Sequence, residues 1–457
     1  MNRRPLLAVV AALLLCGVTS GCGVVVVGLP SPGRPAPADA PPGEITVTGA
    51  TDEPVDVLAG NALADLEGYW SEQFPEVYGD RFAPLQGGYF SVDPGNLDPR
   101  QYPEGVGCGS DPRETENNAF YCQAPDEPNS DSITYDRAFL TELGEGYGRF
   151  LPALVMAHEF GHAVQGRVGS PGPSIATETQ ADCFAGAWTA WVADGEAEHS
   201  RLRESELDDL LRGYFLLRDP VGTSPAEQSA HGSYFDRVSA FQEGFDDGPT
   251  ACRDRFGRDR VFTQGTFRDE ELFTQGNARY DELVDLIGGA LPAFWDRAFI
   301  EVFDEEFEAP PIDPFTGSAP DCAPSDRDVV YCADGNLVGY DEELTTEAYE
   351  LGDYAVATAI AIPYALAARD QLGLDPADPD AIRSAVCLTG WFSAQVFDRE
   401  VPDVLISPGD LDESVLFLLR YGVSEDVLGA AGLSGFQLVD VFRGGFVEGA
   451  AACDVGV

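Results

Sequence analysis

The stretch Leu151-Pro-Ala-Leu-Val-Met-Ala-His-Glu-Phe-Gly-His-Ala-Val-Gln-Gly-Arg-Val168 decides how the rest of the chain is read. Its apolar spacing and length predict a helix over 151–168. His158 and His162 stand four apart in it, so both imidazoles project from one face, with Glu159 beside them. Gly169, Pro171, Gly172 and Pro173 then break the chain before a second predicted helix over 175–192. Two imidazoles on one face can grip one metal ion, and a third ligand must come from elsewhere. Glu178, sixteen residues after His162 and near the start of that second helix, is the best candidate. Asp182 follows one turn later, spaced to accept the free N–H of a ligand histidine and fix its ring. A five-residue His-Glu-x-x-His match can arise by accident, leaving ordinary polar helix residues. Against that, the chain has 4 histidines, two of them here, and the next helix carries Glu178-Thr-Gln-Ala-Asp182. A site for one Zn2+ per chain is the expectation.

Composition narrows the partners. Asp and Glu number 78 against 27 basic residues, all of them Arg, for a formal net charge of -51. Such a surface repels nucleic acid and offers nothing to anionic lipid. A hydrophobic content of 44% suits a globular protein with buried cores. At the N-terminus, Arg3 and Arg4 precede a short apolar run over 6–15, and Ser20-Gly21 leads into Cys22. This reads as a signal peptide over 1–21 with Cys22 as a lipid-bearing first residue, although Thr19 stands where such boxes usually carry Leu. The Pro- and Gly-rich stretch over 22–43 then suits an extended tether. The expected location is the outer face of a bacterial cell membrane, reached only through that anchor, with simple secretion as the alternative. The sequence sets no oligomeric state.

The chain also repeats itself. Tyr121-Cys122 recurs as Tyr331-Cys332, Tyr135-Asp136 as Tyr340-Asp341, and Cys183-Phe-Ala-Gly-Ala-Trp188 as Cys387-Leu-Thr-Gly-Trp391. Phe241-Gln-Glu-Gly-Phe245 before Cys252 returns as Phe442-Arg-Gly-Gly-Phe446 before Cys453. Tyr69-Trp70 parallels Phe294-Trp295, and the offset between counterparts slides from 225 there through 210 and 204 to 201, as loops shorten and order is kept. Two related halves are expected, over 44–260 and 261–457. Eight cysteines lie beyond the N-terminal region, an even number that favours disulfides in an exported chain. Equivalent bonds in the two halves would be Cys108–Cys122 with Cys322–Cys332, and Cys183–Cys252 with Cys387–Cys453. Further helices are expected over 55–74, 204–217, 280–299, 353–372, 380–396 and 410–421, with a short strand near 132–135 and little other sheet. The fold class is mainly α with minor β: a zincin-like helical domain, duplicated, its second copy degenerate.

Residues 108–252 resemble the bacterial neutral zinc metallopeptidase family, in the wider gluzincin-type group. The resemblance rests on Tyr121-Cys122, Ser132-Ile-Thr-Tyr-Asp136, Ala157-His-Glu-Phe-Gly-His162 with Val164-Gln165, Glu178-Thr-Gln-Ala-Asp-Cys-Phe-Ala-Gly186, and His231-Gly-Ser233 with Arg237. It implies His158, His162 and Glu178 as ligands, Glu159 as general base, and hydrolysis of a peptide or protein substrate. Ala163 stands where the family usually has a further His. Such a ligand set leaves a fourth position for water. His231 is the candidate donor to the developing oxyanion, or a structural turn residue; Tyr135 is a weaker candidate, since Tyr340 keeps it in the second half.

At the offset of 204, His158 falls on Ile362, Glu159 on Pro363, His162 on Leu366, Glu178 on Ile382 and Asp182 on Val386. At 201, His231 falls on Gly432. The second half is therefore expected to lack the metal and the chemistry. Two other readings stand beside the peptidase: a non-catalytic surface-anchored binding protein with one structural zinc, and a zinc hydrolase of a non-peptide amide.

Overall fold

The helix that carries the two histidines, α3 (Leu151–Val168), has Pro152 in its first turn, where a backbone N–H is not required. It ends at Gly169, whose φ of 93° suits glycine and whose N–H donates to Gln165 O at 2.7 Å. The computed structural model describes residues 41–456. The signal peptide, Cys22 and most of the tether lie outside the described residues.

Ahead of α3 come β1 (Val47–Thr48), α1 (Pro54–Tyr78), β2 (Gly88–Val92), β3 (Ala119–Cys122), β4 (Ser132–Asp136) and α2 (Arg137–Tyr147). After it come α4 (Ser174–Ala193), α5 (Glu204–Leu217) and α6 (Tyr234–Arg255). The four strands form one sheet in the order β1-β2-β4-β3, with β2 parallel and β3 antiparallel to β4. The rest of the chain runs α7 (Tyr280–Ala298), β5 (Ile312–Phe315), β6 (Val329–Cys332), β7 (Leu337–Asp341), α8 (Glu342–Ala348), α9 (Asp353–Gln371), α10 (Ala381–Phe397), α11 (Asp410–Phe417) and α12 (Gly435–Glu448). Its sheet has the order β5-β7-β6, with β5 parallel and β6 antiparallel to β7. The protein is mainly α with minor β. It has more sheet than the single strand expected near 132–135, because these strands are short and hold only half-buried side chains at β3. The four disulfides join Cys108 to Cys122, Cys183 to Cys252, Cys322 to Cys332 and Cys387 to Cys453.

The helix pairs α4–α6 and α10–α12 pack backbone against backbone. A Cβ on Gly186 would strike the Phe241 carbonyl, and one on Gly244 the Cys183 carbonyl. In the other pair, Gly390 faces Phe442 and Gly445 faces Cys387 in the same way. Cores resist such insertion, and overpacking typically costs about 1–3 kcal/mol. Gly244→Ala is therefore expected to lower the unfolding free energy by at least that much, read as a lower denaturant midpoint. Gly68→Ala, on an exposed face of α1 with nothing within 4 Å, is expected to raise it slightly. Equal midpoints for the two variants would contradict this packing.

The two pairs meet through exchanged contacts. Asp412 on α11 accepts from Phe235 N at 2.9 Å, at the start of α6, and Asp208 on α5 accepts from Phe436 N at 2.7 Å, at the start of α12. Phe235 packs edge-on to Phe446, and Phe436 packs edge-on to Phe245, each at 5.0 Å between centroids. A continuous buried core runs through both pairs. The segment 261–279 serves both sides: Thr263 and Gln264 donate backbone N–H groups to Asp236, while Ala278 N donates to Asp353. No helix of the described residues is long and apolar enough to cross a membrane.

Candidate metal centre

Close approach of α3 and α4 assembles the site. A Cβ on Gly161 would stand 2.9 Å from Ala181 Cα, so only glycine lets these two helices lie this near. Across that contact Glu178 Oε2 reaches 3.2 Å from His158 Nε2 and 3.4 Å from His162 Nε2. The two Nε2 atoms are 3.2 Å apart, with their rings at 90°. These three atoms form a nearly equilateral triangle.

The outer nitrogens of both rings are already committed. His158 Nδ1 lies 2.8 Å from Asp182 Oδ1, and a carboxylate can only accept, so Nδ1 carries the proton. His162 Nδ1 lies 2.8 Å from Gln165 Oε1. Gln165 is oriented in turn by donating to Thr177 O at 2.7 Å and Gln180 Oε1 at 3.1 Å. With both Nδ1 atoms donating, the two Nε2 atoms and a carboxylate oxygen converge on one point, an arrangement bridged by a shared proton or by a metal ion. For Zn–N and Zn–O bonds of about 2.0–2.1 Å, tetrahedral ligands sit roughly 3.3–3.4 Å apart. The donor types and the observed spacing both fit that ion.

Buried charge supports the triangle from behind. Asp182 is fully buried, and Arg237 on α6 clamps it with two donors at 2.8 Å each. Burial alone would raise the Asp182 carboxyl, but Arg237 and His158 hold it below the usual range. Burial likewise opposes charge on His158, yet Asp182 and Glu178 lift it to about 10. Glu178 is pulled far down by the two histidines against its own desolvation. Glu159 behaves differently: burial pushes its carboxyl up, with His158 and His162 opposing. Its Oε2 accepts from Tyr121 N on β3 at 2.7 Å.

The loop with His231 lies against α4, since a Cβ on Gly232 would be 3.4 Å from Thr179 Cγ2, beside Glu178. His231 is exposed and anchored by Asp219, which takes its N–H at 2.7 Å and its Nδ1 at 3.0 Å. Tyr135 is fully buried and gives its hydroxyl to Asp56 Oδ1 at 2.7 Å, so it belongs to the core. His199 accompanies Pro41 O at 2.8 Å and takes no part in the triangle. Gln165 and Arg237 were present in the sequence without an evident task. Gln165 had one usable signal, standing three residues after His162 on the same helix face.

Residues 7–256 match the family described as "Putative neutral zinc metallopeptidase". The chain belongs to that family. Curated relatives include uncharacterized proteins of Mycobacterium bovis and Mycobacterium tuberculosis, each 29% identical over 172 residues, covering 32% of this chain and 58% of theirs. The uncharacterized protein YpfJ of Escherichia coli is 29% identical over 178 residues, covering 34% of this chain and 58% of its own. The match thus spans little more than half the length of these relatives. No solved structure matches the chain. The family carries zinc in its description, and in this member the triangle of His158, His162 and Glu178 is a group able to hold a metal ion.

Proposed function

We propose that this metallopeptidase family member hydrolyses peptide bonds, with His158, His162 and Glu178 holding one zinc and Glu159 as general base. The observation that carries the reading is the triangle of lone pairs at 3.2, 3.2 and 3.4 Å with the buried Glu159 carboxylate beside it. When bound, zinc supplies Lewis acidity towards water and a carbonyl oxygen. Glu159, its proton affinity raised by burial, takes a proton at its carboxylate and passes it to the leaving amine nitrogen. Asp182 and Gln165 hold the two imidazoles in the tautomer that presents Nε2. His231, fixed through Nδ1 by Asp219, is proposed to donate to the oxyanion of the substrate. A structural zinc site normally closes its fourth position with a protein ligand. Among the described residues the triangle has three donors and no fourth, which favours the peptidase over the binding-protein reading.

The same proposal covers the rest of the chain. The segment after residue 260 is taken as a degenerate copy of the segment before it. The matched glycine contacts, the exchanged aspartate caps and the matched sheet orders support this. Ile362, Pro363 and Leu366 lie within α9, on residues that offer no metal donor. Secretion and lipid attachment at Cys22 place the site outside the cell. Metal analysis of the purified protein is expected to give one zinc per chain, and Glu178→Ala is expected to give less than a tenth of that. Full zinc in Glu178→Ala, or zinc-loaded protein that cleaves no member of a peptide library, would remove the basis for this reading.

A further inference from the structure

Three carboxylates far from the zinc triangle in sequence converge at the starts of α9 and α11. Asp353, Asp410 and Glu413 each present an oxygen within 4.8 Å of the others. They are 9%, 5% and 9% exposed. Each has one oxygen occupied by a backbone donor: Ala278 N to Asp353 Oδ2 at 2.6 Å, Ser407 N to Asp410 Oδ2 at 2.7 Å, and Tyr354 N to Glu413 Oε2 at 2.8 Å. Asp353 Oδ1 is fully buried and has no hydrogen-bond partner. Among the described residues none of the three carboxylates has an arginine at ion-pair distance, whereas their neighbour Asp412 meets Arg218 at 2.7 Å. Leaving such charges unneutralised in a buried place is costly.

The other half of the chain shows what belongs there. At the offset of 204, Asp353, Asp410 and Glu413 correspond to Arg149, Glu206 and Asp209. There Arg149 forks onto Glu206 with two bonds of 3.0 Å, so a fixed positive charge neutralises the buried carboxylate. The preceding glycines also correspond, Gly148 with φ 136° and Gly352 with φ 143°. A Cβ on Gly148 would meet Asp209, and one on Gly352 would meet the Glu413 carboxyl. Near α9 the guanidinium is replaced by a third acid in an otherwise equivalent cradle.

We infer that Asp353, Asp410 and Glu413 form a binding site for a hard divalent cation of the calcium class, filling the place that Arg149 fills in the other half. Oxygen-only donors select such ions over zinc, which prefers nitrogen and sulfur. Burial raises the proton affinity of all three carboxyls, and neighbouring carboxylates raise that of Asp410 and Glu413 further. A cation there would tie the start of α9 to α11, whose Asp412 caps α6.

The test uses the full-length protein with zinc restored, titrated with Ca2+ alone at about 0.15 M salt, which screens diffuse attraction to the acidic surface. One saturable Ca2+ per chain is expected, with a rise in thermal midpoint of about 3 °C at a hundredfold excess over Kd. Asp353→Asn should weaken binding at least tenfold, and His158→Ala should leave it unchanged. Terbium luminescence on the unaltered protein covers the case of an unfolded Asp353 variant: terbium should bind, and Ca2+ should displace it. Absence of saturable Ca2+ binding, binding unchanged in Asp353→Asn, or terbium displaced by Mg2+ but not Ca2+ would overturn the inference. Zinc content read on the same samples separates that failure from failure of the peptidase reading.

Discussion

Glu159→Gln is expected to lower peptide cleavage about 10²–10⁴-fold, the usual contribution of a positioned general base, while zinc content stays at the wild-type level. The substitution isolates proton transfer from structure. Glutamine keeps the length and shape of the side chain, and its carbonyl oxygen can still accept from Tyr121 N as Glu159 Oε2 does at 2.7 Å. Glu159 is not one of the three triangle donors, so the metal should be held as before. Burial at 8% exposure also means that bulk water cannot easily substitute for the lost base. Equal cleavage by the two proteins at equal zinc would assign Glu159 a structural part only. Loss of zinc along with activity would instead place it among the ligands.

The second large effect is expected at Arg237. It is 4% exposed, donates twice to Asp182, and lies over the Tyr214 ring at 5.4 Å. Arg237→Met leaves the fully buried Asp182 with His158 as its remaining partner. Removing one member of a buried pair typically costs about 3–5 kcal/mol. Disturbing the carboxylate that orients a ligand histidine typically costs about 10–100-fold in metal affinity. Both losses should be seen together, the first in denaturant unfolding and the second in zinc competition with a chelator. Arg237→Lys keeps the charge without the fork, and it should recover stability more than zinc affinity. Zinc affinity unchanged in Arg237→Met would limit Arg237 to a structural role.

These expectations separate what the sequence makes visible from what it hides. His158, Glu159, His162, Glu178 and Asp182 are visible because two consecutive helices carry them at intervals of three or four residues. The bounds of α3, α4 and α5 are legible within a residue or two, set by Gly169, Pro173 and the break near Arg218. Helices α6 and α12 escape such a reading. They contain glycines selected for backbone contact rather than helix propensity, and Gly248-Pro249 interrupts the first with a non-helical turn. The partnership of Arg237 with Asp182 spans 55 residues, and the Glu159 contact is to a backbone N–H, so neither leaves a local pattern. The acidic triad is hidden for the same reason, since Asp353 lies on α9 and its partners Asp410 and Glu413 on α11, and each alone reads as solvated charge.

The exchanged caps carry a further consequence. Reciprocal contacts of this kind, with Asp412 serving one helix start and Asp208 the other, resemble those across a two-fold dimer interface, whose occupancy ordinarily rises and falls with protein concentration. Here both partners are on one chain, joined through 261–279. Their encounter is unimolecular, with an effective concentration on the order of millimolar or higher. Helix α6, which brings Arg237 to the metal centre, therefore keeps its cap at any dilution of the protein.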